Sequence, residues 1–80
     1  MYKNSKVKVI LYLIKWGVEP VGVEVERRED GSRKFVFLFD VKSSLVNEAK
    51  GMPAMDNEEF TKYFDKYWEY VREFLPNGDK

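Results

Sequence analysis

Apolar positions recur with a period near 3.6 residues at both ends of this chain and with a period of two between them. The first segment, "KVKVILYLIKWG" (Lys6–Gly17), is built from residues that favour strands. Drawn as a strand, it puts Lys6 and Lys8 on one face and Lys15 on the other, so neither face is apolar. Drawn as a helix, it gathers Lys8, Tyr12 and Lys15 within an arc of about 60° and leaves the aliphatics and Trp16 to fill the remainder. Asn4 and Ser5 suit an N-cap, and Gly17 suits the left-handed residue that ends a helix. The propensity penalty of Val and Ile is a few tenths of a kcal/mol each, against about 1.5–3 kcal/mol for burying each side chain. The pattern predicts a helix over Lys6–Trp16, with Lys8, Tyr12 and Lys15 as its window to solvent. A three-stranded meander is the alternative.

"VEPVGVEVERREDGSRKFVFLFD" reads as a β-hairpin. Val21, Val23 and Val25 alternate with Gly22, Glu24 and Glu26, and Asp30-Gly31 is a two-residue turn signal of type I′. The return strand sets Phe35, Phe37 and Phe39 on one face and Val36 and Leu38 on the other. "SSLVNEAKG" then predicts a short helix starting near Ser43 or Ser44 and stopping at Gly51. "MPAM" is a connector. Asp56, with Glu59 three residues on, caps a last helix. Its apolar stripe is Phe60, Tyr63, Phe64, Tyr67, Trp68, Val71, Phe74 and Leu75, and Pro76-Asn77-Gly78 ends it. The expected fold is α+β, one domain over residues 1–76 in the order α-β-β-α-α, with the hairpin's phenylalanine face against the first and last helices. Residues 77–80 read as a tail.

Eighty residues, 44% hydrophobic and 16% aromatic, suffice for one small, dense core. There is no cysteine and no histidine, which removes disulfides, thiolate metal sites and imidazole chemistry. The formal net charge is zero, although residues 1–42 hold nine Lys/Arg against six Asp/Glu and residues 43–80 hold five against eight. That polarity is too mild for a dedicated nucleic-acid binder. The longest uninterrupted apolar run, Val9–Ile14, is far short of the roughly 20 residues that span a bilayer. "MYKNSK" lacks a signal-peptide pattern, so a cytoplasmic location without membrane attachment is expected.

"LYLIKWGVEPVGVEVE", "KFVFLFD" and "SSL…G", followed by an aromatic helix, together resemble a family of small proteins catalogued as a domain of unknown function in phages, prophages and Firmicute genomes. The matching positions are Leu13, Gly17, Gly22, Val23, Glu24, Phe37, Phe39, Asp40, Ser44 and Leu45. Val9 and Ile10 stand where that family usually carries alanines, and "NEAKG" replaces an aromatic-bearing segment. The resemblance implies a phage or mobile-element setting and brings no activity with it.

Catalysis has little to work with. Glu24 and Glu26 on one strand face, or Asp40 with Lys42, are the candidate groups, and neither has a phosphate loop or second motif beside it. Asp56, Glu58 and Glu59 lack calcium-loop spacing and suit a helix N-terminus. No cofactor, metal or small-molecule ligand is indicated. Arg27, Arg28, Arg33 and Lys34 at the hairpin tip are candidate nucleic-acid contacts, but Glu26, Glu29 and Asp30 interleave with them as cross-strand ion pairs would. Val36 and Leu38, forming a second apolar sheet face, and Tyr12 and Tyr70, lying off the main stripes, are the candidate partner surface. Either the middle helix covers Val36 and Leu38 or a partner does, a second copy being the simplest. The expected function is non-enzymatic binding of a protein, self or host, as a regulator or inhibitor, with a nucleic-acid accessory role as the alternative.

Overall fold

A computed structural model describes residues 2–76 and shows an α+β fold: β1 (Tyr2–Asn4), α1 (Val7–Lys15), β2 (Gly22–Arg27), β3 (Arg33–Phe39), α2 (Ser43–Gly51) and α3 (Asn57–Phe74). The segment of strand-formers is a helix, and the order α-β-β-α-α stands behind one additional short strand. The tail at 77–80, with most of the expected Pro76-Asn77-Gly78 stop, lies outside the described residues.

Residues Val9 to Ile14 of α1 are all buried. A helix apolar on every side needs cover on every side, and three neighbours supply it. α2 and α3 pack against α1, and the phenylalanine face of the sheet joins the same core. Phe37 and Phe39 are fully buried, the Phe37 ring stacks on Tyr67 of α3 at 4.7 Å, and Phe35 meets Trp68 edge-on at 5.5 Å. The hairpin's phenylalanine face is thus the core face.

The sheet has three strands, not two. β1 pairs antiparallel with β3 (Tyr2 opposite Phe39, Asn4 opposite Phe37), so β3 is central and the order is β1-β3-β2. The backbone at Asn4 is spent on that pairing. Asn4 therefore does not cap α1 in the usual way. Its Oδ1 accepts the Lys6 N–H at 2.6 Å, its Nδ2 donates to the Tyr2 hydroxyl, and Lys6 occupies the cap position without a side-chain bond. Ser43 opens α2 but does not cap it, since Lys42 holds that position, also without a side-chain bond.

Both left-handed glycines sit at element ends. Gly17 (φ 85°) follows α1 with the Val18 N–H on the Leu13 carbonyl and the Gly17 N–H on the Ile14 carbonyl, the paired bonds of a Schellman motif. Gly31 (φ 88°) closes the hairpin, but not in a two-residue turn. The Gly31 N–H reaches the Arg28 carbonyl and the Arg28 N–H reaches the Ser32 carbonyl. Glu29, Asp30 and Gly31 form a three-residue loop, a type I turn closed by a left-handed glycine. Asp30 keeps negative φ because its carboxylate accepts both the Ser32 N–H (2.9 Å) and the Ser32 hydroxyl (2.7 Å), which favours that turn. Gly51 ends α2 without positive φ. The stop comes from Met52, extended at φ −76° and ψ 149° as a residue preceding proline must be. Asp56 caps α3 as expected, accepting the Glu59 N–H at 2.8 Å.

The two helix-ending glycines should therefore respond oppositely to alanine. Neither has a heavy atom near the position a Cβ would take. Gly17→Ala should cost about 1–2 kcal/mol for the left-handed backbone, whereas Gly51→Ala should gain about 0.5–1 kcal/mol. Urea denaturation of both variants beside Leu13→Ala, expected to lose about 2–5 kcal/mol from the centre of the core, checks this order.

Candidate partner-binding surfaces

The polar stripe of α1 is a window to solvent only at Lys15, which is exposed, while Lys8 is half-buried and Tyr12 is buried. Lys8 Nζ donates to the carbonyls of Met52 (2.6 Å) and Lys50 (3.2 Å), satisfying carbonyls that the end of α2 leaves without helical partners. Its charge also opposes the negative end of that helix. The Tyr12 hydroxyl donates to the Pro53 carbonyl at 2.7 Å, and only 3% of Tyr12 is exposed. Lys15 pairs with Glu59 at 2.8 Å. One stripe thus holds the α2–α3 connector and the first turn of α3. Tyr12, expected as a contact residue, is a core residue. Tyr70 is half-buried against the core, and burial first, then the charges of Glu19, Glu73 and Glu69, push its hydroxyl up.

Val36 and Leu38 lie on the sheet face away from the core, outside the core cluster, and α2 packs on α1. Of the two alternatives for this face, cover by the middle helix is accordingly not the one realised. The face is shielded by its own charged side chains. Lys3 on β1 and Glu24 on β2 reach across the central strand to 3.5 Å, and Lys34 approaches Glu26 to 3.9 Å. Their aliphatic stems leave Val36 only 5% exposed. Leu38 leans over Gly22, where a Cβ would meet its Cδ1 at 3.1 Å.

At the hairpin tip Arg27, Arg28 and Arg33 are exposed and Lys34 is half-buried. Arg27 stands opposite Arg33, and Lys34 stands opposite Glu26. The hydrogen bonds from Ser32 hold the Asp30 carboxyl below its usual range, so the turn keeps its negative charge among these cations. The candidate catalytic groups acquire no further polar constellation among the described residues. Glu24 and Glu26 each face a lysine. Asp40 and Lys42 line an open depression with Val41, Ser44, Leu45 and Glu48. Among the described residues, no three acidic side chains gather closely enough to hold a metal ion.

The surface that periodicity missed is on α3. The stripe from Phe60 to Phe74 reads as core, yet Phe60 is 40% and Trp68 36% exposed. They belong to one row at i, i+4 and i+8, with Phe64 between them at 5.0 Å from Phe60 and 5.7 Å from Trp68. On a helical wheel Trp68 stands at the edge of the apolar arc, beside Thr61 and Arg72, and that marginal position was the available signal. The opposite edge, with Glu59 and Tyr63, faces Lys15 of α1. Trp68 consequently points away from α1, on the side where α3 packs against β2. β2 is an edge strand, paired with β3 alone among the described residues.

Compared with protein-family models, curated proteins and solved structures, the chain matches none. Among the described residues no helix is long and apolar enough to cross a membrane.

The bond to Glu59 raises the pKa of Lys15, against the lowering effect of desolvation. A raised value in the fold means that the pair's contribution is complete below the unfolded pKa, ordinarily 10.5. It is lost as pH rises through the folded value. Wild type should therefore exceed Glu59→Gln in urea midpoint at pH 8, and the gap should narrow as pH rises above 10.5.

Proposed function

We propose that this chain is a non-catalytic protein-interaction domain whose contact surface is centred on the aromatic row of α3. One observation carries the reading: Phe60 and Trp68 are both more than a third exposed and are joined through Phe64 into a contiguous apolar strip. Single exposed apolar residues are ordinary, whereas a contiguous patch marks a contact surface. Tryptophan is also the side chain most enriched at the energetic centres of interfaces. The absence of histidine and cysteine and the paired state of Glu24 and Glu26 leave no better-supported chemistry. In the phage or mobile-element setting that the family resemblance implies, such a domain would act as a regulator or inhibitor of a host protein.

The test is affinity capture from cells that encode the chain, with and without nuclease, using wild type and a Phe60→Ser/Trp68→Ser double variant shown by circular dichroism to be folded. The expected result is a defined protein retained at least tenfold better by wild type and insensitive to nuclease. Retention that vanishes with nuclease, and with Arg28→Glu/Arg33→Glu, would transfer the function to the hairpin tip and nucleic acid. Equal retention by wild type and the double variant would overturn the reading.

A further inference from the structure

The hydrogen bonds of the hairpin determine which backbone groups of β2 are available. The Arg28 N–H bonds the Ser32 carbonyl, and the register continues as Arg27 opposite Arg33, Glu26 opposite Lys34 and Val25 opposite Phe35. An antiparallel ladder alternates hydrogen-bonded with non-hydrogen-bonded pairs. Glu26, Glu24 and Gly22 therefore turn their peptide groups toward β3, while Val25 and Val23 turn theirs outward. The outward groups lie on a strand with no second neighbour among the described residues. Side chains alternate in step. Val23 and Val25 face the core side, where Phe35 meets Trp68, and Glu24 and Glu26 face the other side.

From this juxtaposition we infer that the free edge of β2 receives an extended segment of a partner protein as a fourth strand. That segment alternates lysine or arginine with large apolar residues. Residues opposite Glu24 and Glu26 fall at the non-hydrogen-bonded positions of the new ladder, where cross-strand side chains lie closest. The two carboxylate side chains are 54% and 62% exposed even with Lys3 and Lys34 at 3.5 and 3.9 Å, so each keeps solvent-facing oxygen surface that a further basic side chain can reach. The alternate residues of the incoming strand project to the core side, beside the exposed ring of Trp68. Strand addition of this kind takes affinity from the main chain and specificity from alternate side chains.

The same carboxylates argue against the two registers of self-pairing centred in the middle of that edge. In two-fold antiparallel pairing centred on Val25, Glu24 of each strand faces Glu26 of the other. Centred on Glu24, that residue faces itself. Like charges directly opposite are destabilising, a common protection of edge strands.

This inference rests on the protein-interaction reading and sharpens it, and its test separates the two. The probe is a fluorescein-labelled nine-residue peptide alternating lysine with valine and phenylalanine, against a block-ordered peptide of the same composition and a version with glutamate for lysine. Anisotropy titrations are run on wild type, Val25→Pro, Glu24→Lys/Glu26→Lys and Trp68→Ser. Proline at Val25 removes one outward N–H and no bond to β3. The alternating peptide should bind wild type at least tenfold tighter than either control. That preference should fall tenfold in Val25→Pro and weaken in Trp68→Ser, and Glu24→Lys/Glu26→Lys should instead prefer the glutamate peptide. Equal binding of the alternating and block-ordered peptides would overturn the inference. So would a charge swap without effect, which stays informative if Val25→Pro does not fold. Self-association by light scattering that Val25→Pro abolishes would also overturn it, by making the occupant a second copy. Capture of a cellular partner that is lost in the Phe60→Ser/Trp68→Ser variant but kept in a folded Val25→Pro would end the strand-addition inference while leaving the interaction reading intact.

Discussion

The middle of helix α1, from Val9 to Ile14, is buried on every side, and the rest of the molecule is arranged to keep it so. Six successive residues from Val9 to Ile14 have no polar side chain other than the Tyr12 hydroxyl. Leaving any flank of such a helix in water forfeits about 1.5–3 kcal/mol for each large side chain exposed. The sheet covers one flank, α3 a second and α2 a third. The polar stripe of α1, Lys8, Tyr12 and Lys15, bonds the segment that joins two of those covers and the first turn of α3, with Lys15 alone exposed to water. The covering helices are thereby attached to the element they cover.

That demand explains what remains open. The described residues hold only three helices to distribute. With α2 and α3 both committed to α1, the outer sheet face receives charged stems in place of a helix. The β2 edge and the Trp68 side of α3 receive no covering element among the described residues. The surfaces offered for binding are thus what is left after the central helix has been enclosed.

Much of this was legible from residue types and spacing. The helical character of Lys6–Trp16 followed from three polar residues sharing one arc. Gly17, Asp56 and the phenylalanine face followed equally directly, because each depends on neighbours within a few residues. Three features were not legible. Tyr2–Asn4 is too short to carry a strand pattern and became a strand only because Phe37–Phe39 offered it an edge. The use of Asp30 and Gly31 in a three-residue loop turned on the bonds that Ser32 donates to the Asp30 carboxylate, which competed with the type I′ turn their dipeptide favours. Tyr12 was assigned to the surface because polarity locates a stripe without saying whether water or a carbonyl lies opposite.

Residue spacing sufficed for α1, the hairpin, α2 and α3, for their order and for most of the core, since periodicity, capping and turn chemistry act between near neighbours along the chain. Which apolar residues of α3 remain exposed was settled by packing. Phe60, Phe64, Trp68 and Tyr67 share one helical stripe and one residue class. Tyr67 is enclosed because Phe37 stacks on it, while Trp68 meets Phe35 with one edge and keeps the remainder of its ring at the surface. That difference depends on where α3 lies across the sheet, which is set by contacts about 30 residues apart in the chain and by no pattern within the helix.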